Sequence, residues 1–327
     1  MNPARYLKQI AGGDHAGCDL EESDAYELYC AILDGGVPDL ELGALLTALH
    51  VKGESAGELL GFQQAVAQRM YRVQAPSAVL RPVVIASYGG AREQPNLLAL
   101  LAMMLARFGV PVLIHGALHG GGRIATAYVL RELGAMPSPN LDHARKALAG
   151  DRLAFVPLAV LCPGLAAMLA LRERLGMGSS ADVMVRLLDP VEPGGLRLAG
   201  ARSAGELARM REFLAAAAAD ALLLPATEGE AFADPKRRPQ IERFQSGGRS
   251  VLFEAEAGPL RSLSNLPPAT DAAATAAWIR RALAGEAPVP LPLVNQLACC
   301  LYASGYTQDL NQAKAIVAVE TGSLAAA

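Results

Sequence analysis

The chain has 327 residues, 52% of them hydrophobic and 19% charged, with a net charge of -3. A chain of this kind buries a sizeable core, which excludes disorder as a global description. Its acidic balance excludes a uniformly basic nucleic-acid-binding domain and confines any basic surface to local segments.

Residues 2 to 74 carry a helical pattern throughout, read as four short helices. "ESDAYELYCAILDGG" ends on Gly35-Gly36, Pro38 stands near the start of the next helix, and Ser55 with Glu58 has capping-box spacing. After Pro76 the pattern alternates: a strand over 82–87, a helix over 95–108, a strand over 110–115, a helix over 123–133 and a strand over 153–157. This is the βαβ rhythm of a mostly parallel sheet. Helices over 163–176 and 180–188, a strand at "LRLAG", a helix over 203–219, strands at "ALLLP" and "SVLFEAE", and closing helices complete the expectation.

The opening residues lack a charged n-region followed by an apolar run, and every long apolar run is broken by a charge or a proline. We therefore expect a cytoplasmic protein with no membrane span. The five cysteines show no CxxC spacing, so neither a disulfide framework nor a zinc cage is expected, and Cys299-Cys300 are read as small apolar residues in a helix.

The most informative stretch is "PVVIASYGGAREQPN", residues 82 to 96. A β-branched strand hands over to Gly89-Gly90, a tight loop of the kind that holds an anion through its amides. Downstream, Gly120-Gly121-Gly122-Arg123 precedes a helix and reads either as a second phosphate segment or as a plain strand-to-helix turn. His115 and His119 stand four apart, but "HGALHGGGR" is too rich in glycine to be helical, so no metal site is read there. The densest basic stretch is Lys236-Arg237-Arg238, followed by Arg243 and Arg249. It reads either as solvated surface or as a phosphate-contacting patch, and 5% aromatic content favours backbone contacts over base stacking.

Over nearly its whole length the chain resembles the anthranilate phosphoribosyltransferases. The resemblance lies in "DAYELYCAILDGGVPDLELGALLTALHVKGES", in "GVPVLIHG" and in "ATAYVLRELG". It implies a small all-helical domain (1–76 with 163–190) and a larger α/β domain (77–162 with 191–327) with a mostly parallel central sheet. It also implies a loop GTGGD, a helix start NxST, a strand ending in KHGN and an Asp-Glu pair for magnesium. Each motif has departed from that pattern. The loop reads Ser87-Tyr88-Gly89-Gly90-Ala91, the NxST position reads Asn96-Leu97-Leu98-Ala99, and KHGN reads Ile114-His115-Gly116-Ala117. Glu228 and Glu230 lie near the carboxylate pair but off its spacing, and Gly178 stands where an anthranilate-contacting Arg is expected. Losing one preorganised charge-stabilising donor costs roughly 2.7 to 4 kcal/mol of transition-state stabilisation, so several losses leave little ordinary catalysis.

These departures resemble the YbiB family of anthranilate phosphoribosyltransferase-like proteins, with its "HGGGRIATAYV" and "TEGEAFADP" segments. That resemblance implies a homodimer that binds nucleic acid without regard to sequence, with no catalytic residues and no cofactor. Remnant phosphate loops would lie at Gly89, Gly90, Asn96, His115, Gly116, Gly121, Gly122 and Arg123. Nucleic-acid contacts are expected at Lys236, Arg237, Arg238, Arg243 and Arg249. A second reading is a phosphoribosyltransferase with anthranilate or another acceptor, using Glu228 and Glu230 for magnesium, and a third is a metabolite-binding or protein-interaction module without either activity.

Overall fold

The computed structural model describes residues 2–12, 17–76, 80–258, 266–269 and 271–322, so the expected domain boundary after residue 76 falls at the edge of undescribed residues. Four helices open the chain, α1 (Pro3–Ala11), α2 (Glu22–Leu33), α3 (Asp39–Lys52) and α4 (Ala56–Ala67). Ser55 and Glu58 form the expected capping box on α4. Gly61 lets α4 lie close on α2, because a Cβ there would come within 2.4 Å of the Glu22 carbonyl oxygen. Beside it, the rings of Tyr29 and Phe62 stack at 4.2 Å.

The α/β part follows in chain order: β1 (Val73–Gln74), β2 (Val83–Ser87), α5 (Leu98–Arg107), β3 (Val112–Gly116), α6 (Thr126–Glu132), α7 (Leu141–Gly150) and β4 (Leu153–Pro157). Two helices, α8 (Leu158–Leu161) and α9 (Pro163–Leu175), lead to α10 (Ser180–Met184) and β5 (Val191–Glu192). Then come β6 (Leu196–Ala201), α11 (Ala204–Ala216), β7 (Ala221–Pro225), β8 (Ile241–Gln245) and β9 (Gly248–Phe253). Helices α12 (Ala272–Leu283), α13 (Leu291–Ala303) and α14 (Leu310–Thr321) close the chain.

Seven strands form the main sheet in the order β4-β3-β2-β6-β7-β8-β9, parallel from β4 to β7 and antiparallel at β8 and β9. β2 to β4 and β6 to β7 are buried along almost their whole length, as a sheet covered on both faces requires. α9 packs on α2, and α10 on α3 and α4, so chain from beyond residue 160 completes the core of the opening helices.

The structure adds α8 and the two-residue strands β1 and β5 to the expected elements, and three further elements differ from expectation. α7 is an additional helix, and Asn140 caps it through the His143 amide. β8 is an additional strand. Its hairpin turn runs through Ser246 and Gly247, at φ 51° and 79°, and a lone Ser-Gly pair is a weak signal for such a turn. The expected helix over 180–188 stops at Met184. Cys299 and Cys300 are buried in α13 as expected. No helix among the described residues is long and apolar enough to cross a membrane.

Candidate functional site

In an open parallel sheet, ligands gather at the carboxyl ends of the strands where the strand order reverses. Here that point lies between β2, which has β3 on one side, and β6 on the other. A cleft of about 410 Å³ opens there, bounded by the loops after β2 and β6, the glycine loop before α6, the α9–α10 turn and the turn after β7.

The loop after β2 does hold an anion, and the anion belongs to the protein. One carboxylate oxygen of Glu230 accepts from the amides of Gly89 (2.8 Å) and Gly90 (2.7 Å). Glu228 accepts from the amides of Arg92 (2.8 Å), Glu93 (2.9 Å) and Gln94 (2.8 Å). Arg123 stands 3.5 Å from the same carboxylate. Burial pushes the Glu230 carboxyl above its ordinary range, opposed by hydrogen bonds from Ser87, the two glycine amides and Thr126. Glu230 is fully buried, so the amides are what make it tolerable there.

The two glutamates sit at the tip of a hairpin turn, Thr227 to Glu230, whose ends exchange backbone hydrogen bonds of 3.0 Å. Both central residues have positive φ, 54° at Glu228 and 96° at Gly229. Gly229 bears this freely, whereas Glu228 holds an uncommon conformation for a residue with a side chain. The turn is anchored behind its tip: Thr227 Oγ1 donates to the Phe232 carbonyl (2.6 Å), and Gln296 bonds the backbone of Ala231 and Ala233 at 2.8 Å each. Phe232 is fully buried.

The remaining phosphate candidates divide into two groups. Gly121 and Arg123 line the cleft with Gly89, and Gly121 and Gly122 are left-handed with open space around them. Asn96, His115 and Gly116 are instead built into the fold. The Asn96 amide nitrogen donates to the Ile124 carbonyl and to Thr126 Oγ1, both at 3.0 Å. His115 is buried with Nδ1 2.7 Å from the Tyr88 hydroxyl, and burial pulls its pKa down to about 3. Gly116 lies against β2, where a Cβ would meet the Ser87 carbonyl at 2.0 Å. These three residues hold the loops together and present nothing to the cleft.

Glu228 and Glu230 do not fit a magnesium ion, because their oxygens are engaged by five backbone amides. Among the described residues no group of three or more His, Cys, Asp or Glu is placed to hold a metal.

The basic candidates are corrected more strongly. Arg243 is not a surface contact: it lies in β8, 6% exposed, and pairs with Asp220. The neighbouring strand β7 brings that carboxylate, from the residue just before it, a relation across strands that sequence order hides. Arg249 pairs with Glu242 at 2.7 Å, and Arg238 pairs with Glu256. Lys236 and Arg237 are exposed in the loop before β8. Arg243 and Arg249 border a hollow of about 1020 Å³ together with Arg81, away from the cleft.

The cleft has cations that sequence reading missed. Arg172, in the last turn of α9, donates to the Tyr88 carbonyl at 3.2 Å and stands 3.9 Å from Asp182. Arg202, the residue directly after β6, stands 3.8 Å from Asp182 and 3.7 Å from Glu206. With Arg123 they give three guanidiniums whose carboxylate partners are too distant for short hydrogen bonds, leaving N–H donors free to turn to a ligand. The position of Arg202 at a strand's carboxyl end was the available signal. Asp182 itself caps α10 through the Ser179 amide (2.9 Å). Beneath the cleft Arg186 and Glu206 form a buried pair.

Comparison with known proteins bears on the family and the fold. The model of the glycosyl transferase family helical bundle domain matches residues 4–70. The protein YbiB of Escherichia coli (strain K12) is 37% identical over 318 residues, covering 97% of this chain and 99% of YbiB. The chain belongs to the YbiB family. An anthranilate phosphoribosyltransferase of Methylobacterium radiotolerans is 31% identical over 191 residues, 58% of this chain and 53% of that enzyme, so the likeness to the enzyme spans about half of each. Among solved structures, the anthranilate phosphoribosyltransferase of Thermus thermophilus superposes with a TM-score of 0.78 at 24% identity, covering 99% of this chain and 95% of that one. The Saccharomyces cerevisiae enzyme in complex with PRPP and Mg gives 0.73 at 16% identity, covering 98% and 93%. The YbiB-family chain thus has the anthranilate phosphoribosyltransferase fold, with a helical N-terminal domain and an α/β domain.

Proposed function

We propose that this protein binds a phosphate-bearing polyanion, a nucleic-acid backbone, in the arginine-lined cleft and does not phosphoribosylate anthranilate. One observation carries the second half of this reading: the amides that would cradle a pyrophosphate already hold Glu228 and Glu230. The loss of the expected Lys at Ile114 and of the Asp at Ala91 supports it. What supports the first half is the set of Arg123, Arg172 and Arg202, which match phosphodiester oxygens in charge and donor geometry. Exposed Lys236 and Arg237 add to it.

Homodimerisation belongs to the same proposal. α1 and α3 border an apolar hollow of about 920 Å³ that includes Leu7, Ile10 and Leu175, and beside it Leu40 and Val51 are 83% and 79% exposed. A second copy of the chain would cover these residues.

A transferase with a changed acceptor is the second reading, supported by the fold and by the half-length likeness to the enzymes. It requires the glutamate turn to leave the loop. Two assays separate the readings. Protein given anthranilate, phosphoribosyl pyrophosphate and magnesium is expected to show no turnover above background, and enzyme-like turnover would favour the transferase. Unrelated labelled oligonucleotides are expected to bind alike, with affinity falling steeply as salt rises. The variant R172A/R202A should lower the log-log salt slope by up to about one unit per lost phosphate contact. Absence of binding at low salt would end the nucleic-acid reading.

A further inference from the structure

We propose that the Thr227–Glu230 turn is an intramolecular oxyanion, a built-in ligand that permanently fills the anion site formed by residues 89–94. The inference deepens the second half of the proposed function and rests on the same amide contacts, but it holds whichever ligand the arginines take.

Three observations converge on it. The contacts are those of a bound oxyanion: five amides converge on two carboxylates, and single oxygens of Glu230 and Glu228 each accept from two of them. Successive amides aimed at one point form a concavity suited to anions, and charge-assisted bonds there are the stronger kind. The second observation is the backbone at Glu228, held at φ 54° although it is not glycine. A residue keeps such a conformation when the surroundings fix it, and here the fixed outcome is delivery of its carboxylate to the Arg92, Glu93 and Gln94 amides. The third is anchoring. Fully buried Phe232 and the Gln296 bonds to Ala231 and Ala233 tie the turn to α13, so it is a plug and not a mobile lid.

A small oxyanion such as inorganic pyrophosphate is therefore excluded from this loop in the intact protein, and removing the carboxylates should restore a site for it. The test is isothermal titration of pyrophosphate into the wild type, the double variant E228A/E230A, and E228A alone in case the double variant fails to fold. The variants are expected to bind at least roughly tenfold more tightly than the wild type, given the strength of hydrogen bonds to a charged group. The amide resonances of the loop are expected to report the location: Gly89 and Gly90 in the double variant, Arg92 to Gln94 in E228A. E230Q keeps an acceptor oxygen and should gain nothing. Folded variants that bind pyrophosphate no better than the wild type, or binding that leaves those amides unmoved, would overturn the proposal.

Discussion

Acidification should destabilise this protein through His115 before any carboxylate network fails. The ring lies on β3, 1% exposed, and meets Tyr88 edge-on at 5.7 Å with Nδ1 at 2.7 Å from the hydroxyl. Burial lowers its pKa from 6.5 to about 3. Its folded pKa lies below the unfolded one, so above pH 6.5 neither state carries the proton and nothing is lost. As pH falls below 6.5 the unfolded chain takes up a proton that the folded protein refuses, and stability drops by about 1.36 kcal/mol per pH unit until pH nears 3. Between about pH 7 and pH 5 the loss from this group is about 2 kcal/mol. Urea unfolding of the wild type and of His115→Gln at the two pH values isolates it, because any packing cost of the substitution cancels in the difference. The wild type should lose about 2 kcal/mol more than the variant. Equal losses, or a His115 ring titrating near its ordinary value by NMR, would refute the reasoning.

Gly61→Ala should cost roughly 1–3 kcal/mol in thermal or urea unfolding, because its new methyl meets the Glu22 carbonyl at 2.4 Å and the Tyr26 amide at 2.8 Å. An unchanged midpoint would contradict the close approach of α2 and α4. Arg186→Ala strands Glu206 in the interior and should cost about 3–5 kcal/mol, with much of the loss recovered when Glu206→Leu is added. If the basic run divides as described, Arg243→Ala should lower stability by roughly 1–3 kcal/mol, whereas K236A/R237A leaves the unfolding midpoint in place.

The sheet was legible because its strands are buried on both faces, which leaves near-continuous apolar runs such as Val83 to Ala86 between glycines and helices. The loop at Gly89-Gly90 and the glutamates at 228 and 230 were also visible as residues. Their relation was not, since it joins positions about 140 apart, and acidic residues in a loop look the same whether they face a metal, water or amides. The basic run misled for a similar reason. Asp220, Glu242 and Glu256, which neutralise Arg243, Arg249 and Arg238, are set by strand pairing and not by spacing. Arg172 and Arg202 are thirty residues apart in the sequence and meet only because α9 and the end of β6 border one cleft.

The shared core of the opening helices sets the order in which the chain matures on a ribosome. Tyr6, Leu28, Leu46 and Phe62 belong to one apolar cluster with Leu165, Met168, Met184 and Phe213. At about 5–20 residues per second, the first four helices wait on the order of ten seconds before those later partners are synthesised. Through that interval their apolar faces are open to chaperones and to neighbouring nascent chains. A fragment ending near residue 70, where the helical-bundle match stops, would stay in that unfinished state.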